Sequence, residues 1–294
     1  MVLRSNFVRI STAALCAAVE ILLGSLTAEA TRGRVMGIYT SILGVGLSAG
    51  PALLSASTAN EISPFVSIWV LICIMGALSV LLPNAYNANE QPDTGSNASI
   101  GRFLLNAPFL ALLFVFVGVK NTAQSSFFPI LGLGTGLSVP SSSLLLSACM
   151  LGSVTFPALI GYLADKCDRR VLLAITCSLF GSLTFAVVLT LAEPMIRLLA
   201  AFALGGVGSS IFALGMTLVG ACFSGRDLTA AYVATGSLWG FGSLIGNLIV
   251  GSSITAFGSV GYAISAGFPF LVGGIVMLFV CCHVFGRPTN RVGS

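Results

Sequence analysis

The stretch VLLAITCSLFGSLTFAVVLTL, from Val171 to Leu191, contains no charged side chain. As a helix rising about 1.5 Å per residue it reaches across roughly 30 Å, the thickness of the hydrocarbon core of a bilayer. The charges stand just before it, at Lys166, Asp168, Arg169 and Arg170. The run reads as a membrane-spanning helix with a basic turn at its head.

Working outward, the same pattern repeats along the 294 residues. Only 7% of residues are charged and 56% are hydrophobic, and the mean hydropathy is +1.03. Soluble domains carry roughly 25% charged residues. Thirteen basic and nine acidic side chains are too few to cover a core this apolar in water, so lipid is the expected solvent. Backbone groups in hydrocarbon must be paired internally, which leaves helices or a closed barrel. Apolar runs of about 20 residues, where a barrel would show alternating segments of about 10, select helices. The expected fold class is all-α, a polytopic transmembrane helical bundle.

Nine apolar segments follow from this reading: Val8 to Ala30, Val35 to Ala56, Pro64 to Leu82, Asn106 to Gly132, Pro140 to Ala164, Val171 to Leu191, Ile196 to Phe223, Leu228 to Ile254 and Gly258 to Phe285. The polar stretch from Pro83 to Arg102, rich in Asn, Gln, Pro and Ser, reads as a linker. Expected domains are therefore a partial amino-terminal bundle over 1–83, a linker over 84–102 and a six-helix bundle over 103–294.

Basic residues set the expected orientation. Arg32 and Arg34, Arg102, the Lys166 to Arg170 turn, Arg226, Arg287 and Arg291 fall in alternate loops. The loops near Glu61, Thr135 and Ser259 have no lysine or arginine, and the loop at Glu193 is followed only by Arg197. The positive-inside rule places the first group in the cytoplasm, with the carboxyl terminus inside and the amino terminus outside. Arg4 and Arg9 disfavour exporting that end, so the expectation is that further helices precede it.

Several functions are not supported. The +4 net charge is small and sits in short loop clusters, which argues against a nucleic-acid partner. Eight cysteines lie mostly within apolar runs without C-x-x-C spacing, so neither disulfides nor a metal site is expected. The triplet Asn97-Ala98-Ser99 fits a glycosylation sequon but falls in a loop expected to face the cytoplasm. The one histidine, His283, has no catalytic companions, and neither an enzyme nor a cofactor is expected.

The decapeptide Gly161-Tyr-Leu-Ala-Asp165-Lys166-Cys-Asp168-Arg169-Arg170 resembles the signature of the major facilitator superfamily, G-x-L-x-D-R/K-x-G-R-R/K, with Asp168 in place of the second glycine. Arg32-Gly33-Arg34 followed by Gly37, Gly46, Gly50 and Pro51 resembles the family's fifth helix, G-x8-G-x3-G-P, although leucines follow where further glycines are expected. Small residues at such spacing let helices approach closely, and a proline permits a bend. A weak echo, Arg226 before Gly242 and Gly246, fits the family's parallel repeat.

The resemblance numbers the helices four to twelve of twelve and puts the decapeptide between helices eight and nine. It implies that Gly161, Asp165, Lys166, Arg169 and Arg170, with Arg34, form the signature loop and its gating contacts. Asp165 offers a carboxylate to neighbouring helix N-termini or arginines. The implied activity is secondary transport of a small solute, with protons as a candidate coupling ion, by a monomer in a plasma or inner membrane. The alternative is a non-transporting fragment or assembly partner.

Ionisable residues within a membrane are functional candidates because burying them costs about 2.5 to 3.5 kcal/mol on insertion scales. Glu20 lies in the first apolar run. Lys120 sits roughly 20 Å along its helix from Asn106, with Asn121 and Gln124 beside it. By resemblance Glu20 and Lys120 fall on helices four and seven, which line the family's cavity. One of them is expected to bind a substrate charge or carry a proton, against a structural ion pair or a snorkelling lysine. Ser209 and Ser210, on the presumed tenth helix, are expected either to bond a ligand or to pack helices.

Overall fold

The computed structural model describes residues 19–23, 27–56, 100–134, 136–189 and 193–285. The chain divides into two compact units, one of residues 1–44 with 98–294 and the other of 45–97. The expected span from Pro64 to Leu82, the sequon, the linker as far as residue 99, and the tail with Arg287 and Arg291 lie outside the described residues. So do Arg4 and Arg9.

All elements among the described residues are helical, as the apolar runs require. Residues 19–23 are helical, and a short 3-10 turn at Glu29–Thr31 leads into α1 (Arg32–Ala56). After them come α2 (Ile100–Asn106), α3 (Pro108–Thr122), a π turn at Ala123–Phe127, and α4 (Phe128–Gly134). The remaining helices are α5 (Val139–Ala164), α6 (Arg169–Leu189), α7 (Pro194–Cys222), α8 (Gly225–Ala266) and α9 (Phe268–Phe285).

Proline and capping chemistry explains most of the boundaries. Helix begins at Ile100, inside the expected linker, and breaks at Ala107 (φ −137°, ψ 57°). Pro108 clashes with a helical conformation of the residue before it and has no N–H to continue the ladder. Ser138 caps α5 by accepting from the Ser141 N–H, and Pro140 occupies the first turn.

Residues 227–280 are helical and apolar for 54 residues, more than twice the length that spans a bilayer. Gly258 resolves the excess. Its φ of 60° and ψ of −140° reverse the chain, and Gly261 comes against Ser253 and Ile254, whereas eight residues of straight helix would put Ser253 about 12 Å away. The expected boundary between the last two spans thus lies at this glycine. Only Gly267, itself near helical dihedrals, separates residue 266 from α9, so the last span is built from 259–266 and α9.

Five helices among the described residues are long and apolar enough to cross a membrane: Pro108–Phe127, Leu144–Ala164, Arg169–Leu189, Met195–Cys222 and Asp227–Val280. Leucines such as Leu105, Leu189 and Leu248 are exposed on the helices, as lipid solvation allows. The main pairings are α5 with α7, α3 with α8, and α6 with α9, and α6 also packs on α7. Each of the three main pairs is joined by reciprocal glycines. A Cβ on Gly152 would strike the Phe202 carbonyl and one on Gly205 the Cys149 carbonyl; Gly118 and Gly242 do the same between α3 and α8, whereas between α6 and α9 Gly181 meets the backbone N and Cβ of Leu271 and Gly274 meets Ser178 and the Ala174 carbonyl. Backbones meet where lipid offers no hydrophobic drive to association, so close packing and dispersion hold the pairs.

Candidate functional site

The turn between α5 and α6 gathers most of the signature residues. Asp165 ends α5, and its carboxylate accepts from the first-turn N–H groups of α1: Gly33 N lies 2.7 Å from Oδ1 and Arg34 N 2.9 Å from Oδ2. A helix N-terminus carries unpaired N–H groups and partial positive charge, so the carboxylate serves as its cap. The approach needs glycine, since a Cβ on Gly33 would come within 2.6 Å of both Asp165 Oδ1 and the Gly161 carbonyl. Gly161 in turn packs on Gly33 and Gly37.

Asp168, where the family pattern has glycine, precedes the first residue of α6. Its Oδ1 accepts from Arg170 N at 2.8 Å and its carbonyl accepts from Leu172 N. The departure from the pattern is thus an N-cap, a position that aspartate favours. Arg169 reaches the Glu29 carbonyl at 2.6 Å through Nη2 and the Glu29 carboxylate at 3.7 Å through Nη1. Arg34 and Lys166 both lie over the ring of Tyr162, 5.0 and 4.3 Å from its centroid. A cleft of 440 Å³ opens beside this turn, lined by Glu29, Arg169 and Cys222 among others.

Gly33, Gly37 and Gly44 all approach α5, at Gly161, Pro157 and Ser153. At about 100° per residue these three glycines fall within about 40° of one another, while Gly46 points about 220° from Gly33. A Cβ on Gly46 would meet no described atom, so the expected packing role of Gly46 does not extend to these contacts. The surroundings of Gly50 and Pro51 lie outside the described residues.

Glu20 is 4% exposed and accepts a 3.3 Å hydrogen bond from the Tyr39 hydroxyl of α1. Nearby, Arg32 donates to the carbonyls of Gly220 and Thr27, and Gly220 leaves room for Arg32 and the Tyr232 hydroxyl. The head of α1 is tied in this way to the end of α7.

Lys120, also 4% exposed, stands apart from this cluster. Its Nζ lies 5.8 Å from the centroid of Phe180, a fully buried ring on α6. No carboxylate pairs with it among the described residues, and Glu20 and Lys120 do not meet. Gln124, in the π turn one helical turn further on, directs Nε2 toward Cys149 Sγ at 3.6 Å and the Leu204 carbonyl at 3.5 Å. Such π turns recur at functional sites because they shift side chains out of helical register. Asn121 is half-buried, and its carbonyl accepts from Ser125.

Ser209 bonds the carbonyls of Gly205, Gly206 and Ser153, linking α7 to α5, and Ser210 bonds Gly206. The described geometry is therefore that of helix packing. Phe180 and Tyr162 were not singled out from sequence, and neither was Tyr39. Each is an ordinary residue of an apolar run until folding sets it beside a charge.

Comparison with known proteins agrees with this architecture. The family model described as Major Facilitator Superfamily matches residues 109–293. An uncharacterized MFS-type transporter, YfkF of Bacillus subtilis (strain 168), is 28% identical over 243 residues. That similarity covers 80% of this chain and 61% of the relative, so the chain spans somewhat less than two thirds of the length of the protein it matches.

Proposed function

The chain belongs to the major facilitator superfamily, and from that premise we propose that it carries a small solute across the membrane by alternating access. The reading extends to a bundle of residues 1–83 and one of 103–294 rocking about a central site, a cytoplasmic carboxyl terminus, a monomeric carrier and no enzymatic step. The relative's designation as a transporter supports the general activity. The carrying observation is Lys120: an ammonium group within a membrane-spanning helix, buried among apolar side chains, with no carboxylate partner among the described residues. A charge in that setting is costly to keep and marks a binding or proton-transfer site. Glu20 is the acidic counterpart, and the signature turn with Arg34 acts as the gate.

Reconstitution into liposomes with a panel of labelled solutes, with and without a proton gradient, tests the proposal. Lys120→Met abolishes uptake or efflux while insertion is unchanged; full transport by that variant overturns the role of Lys120. The competing reading is an assembly partner that transports nothing by itself. It predicts no flux of any solute from the unaltered chain.

A further inference from the structure

The ammonium of Lys120 stands over a ring, 5.8 Å from the centroid of Phe180, and no carboxylate among the described residues pairs with it. The face of an aromatic ring is the negative side of its quadrupole, and its attraction for a cation is largest where water is excluded. Both conditions hold here: Lys120 is 4% exposed and Phe180 is fully buried. With so little exposure the lysine does not snorkel to a surface, so its head stays where neighbours keep it. Phe180 is itself fixed by other helices. Phe270 of α9 packs on it nearly at right angles, with centroids 5.1 Å apart, and on α7 a Cβ at Gly208 would come within 2.8 Å of the ring. Phe270 in turn meets Phe116 of α3, with centroids 6.4 Å apart. Phe116 and Lys120 are four residues apart on one helix and lie on the same face of it. The four side chains therefore close a circuit, from Lys120 to Phe180 to Phe270 to Phe116, which leaves α3, passes through α6 and α9 and returns to the face it left. A core that only excludes lipid is served by rings alone. The cost of burying an ammonium makes its placement over one of them a specific feature.

We infer that Phe180 is a positioning residue: its ring face holds the Lys120 ammonium in one place within the membrane, with Gly208 and Phe270 keeping the ring in register. The hold itself needs no solute. Its consequence rests on the transport reading: an ammonium already in place need not be ordered anew at each binding event, so the ring lowers KM and leaves kcat alone.

The sequence has two lysines, Lys120 and Lys166, so the full chain grown on lysine labelled with carbon-13 at Cε gives two methylene signals in detergent, assigned by Lys166→Arg. The Lys120 signal is expected upfield, displaced by the ring current of Phe180, and Phe180→Leu returns it to the ordinary lysine position. Should Phe180→Leu fail to fold by circular dichroism, Gly208→Ala, whose methyl group pushes on the ring, moves the same signal. A Lys120 signal at the ordinary position in the unaltered chain, or one that neither variant moves, overturns the hold. Its chemistry is read from chains carrying one, two or three fluorines on the Phe180 ring, which drain charge from the face with little change in outline, so that packing alone predicts no trend. In liposome uptake of a solute that the unaltered chain carries, KM rises with each fluorine, to about threefold to tenfold at three, while kcat changes by less than about twofold. A KM that ignores fluorination, or falls with it, removes the positioning role and leaves transport standing. Absence of flux from the unaltered chain removes transport, and the lysine spectrum then decides the hold by itself.

Discussion

Asp165 holds two backbone N–H groups of another helix, and one of them, on Gly33, is buried. Removing the carboxylate leaves that donor unpaired in a place water reaches poorly, at a cost of about 1 to 2 kcal/mol. Asp165→Ala is therefore expected to lower the unfolding midpoint by a few degrees, read by intrinsic fluorescence in detergent, with Asp165→Asn intermediate because its amide still offers one acceptor oxygen. An unchanged midpoint for Asp165→Ala would show that the cap contributes nothing. The attraction of Asp165 for a helix N-terminus was legible in the decapeptide, because a carboxylate beside the head of an apolar helix has few other uses. That Arg34 and Lys166 share the ring of Tyr162 was not legible, since sequence does not tell which neighbouring helix an aromatic beside a tight turn faces. Lys120 was conspicuous as a charge in an apolar run.

At the level of helices, the reciprocal glycines make a graded prediction. Gly205→Ala puts a methyl group against the Cys149 carbonyl and forces α5 and α7 apart, an overpacking cost of about 1 to 3 kcal/mol. Gly240→Ala on α8 meets no described atom and gains helix propensity, so it should leave the unfolding midpoint unchanged or raise it. Equal losses from both variants would mean that close approach is not what the glycines provide. Among the described residues, the positions of the spans were readable because length and hydropathy govern insertion. Helix ends were read less well, and for a local reason: Ile100 to Asn106 is helical although polar residues precede it, and the true interruption, at Ala107, follows from the proline next to it.

For the whole molecule, the contacts of Arg32 with Gly220, of Asp165 with α1 and of Arg169 with Glu29 put the basic residues of two loops on one side of the membrane. Cys167, exposed in the signature turn, and Glu193, exposed at the other end of the neighbouring spans, give a direct test of orientation. In a variant retaining only Cys167, an impermeant maleimide should react after permeabilisation alone, while a second variant carrying Glu193→Cys as its sole cysteine should react in intact cells. The reverse pattern would overturn the cytoplasmic assignment of the turn. The interlocked helix pairs also limit how such a body can move. Where carbonyls nest against glycine Cα atoms on both partners, neither helix can slide a little along the other; the next fit lies a full turn, about 5.4 Å, away. Shear inside the pairs is therefore notched, and small displacements have to be taken up where helices meet without such notches.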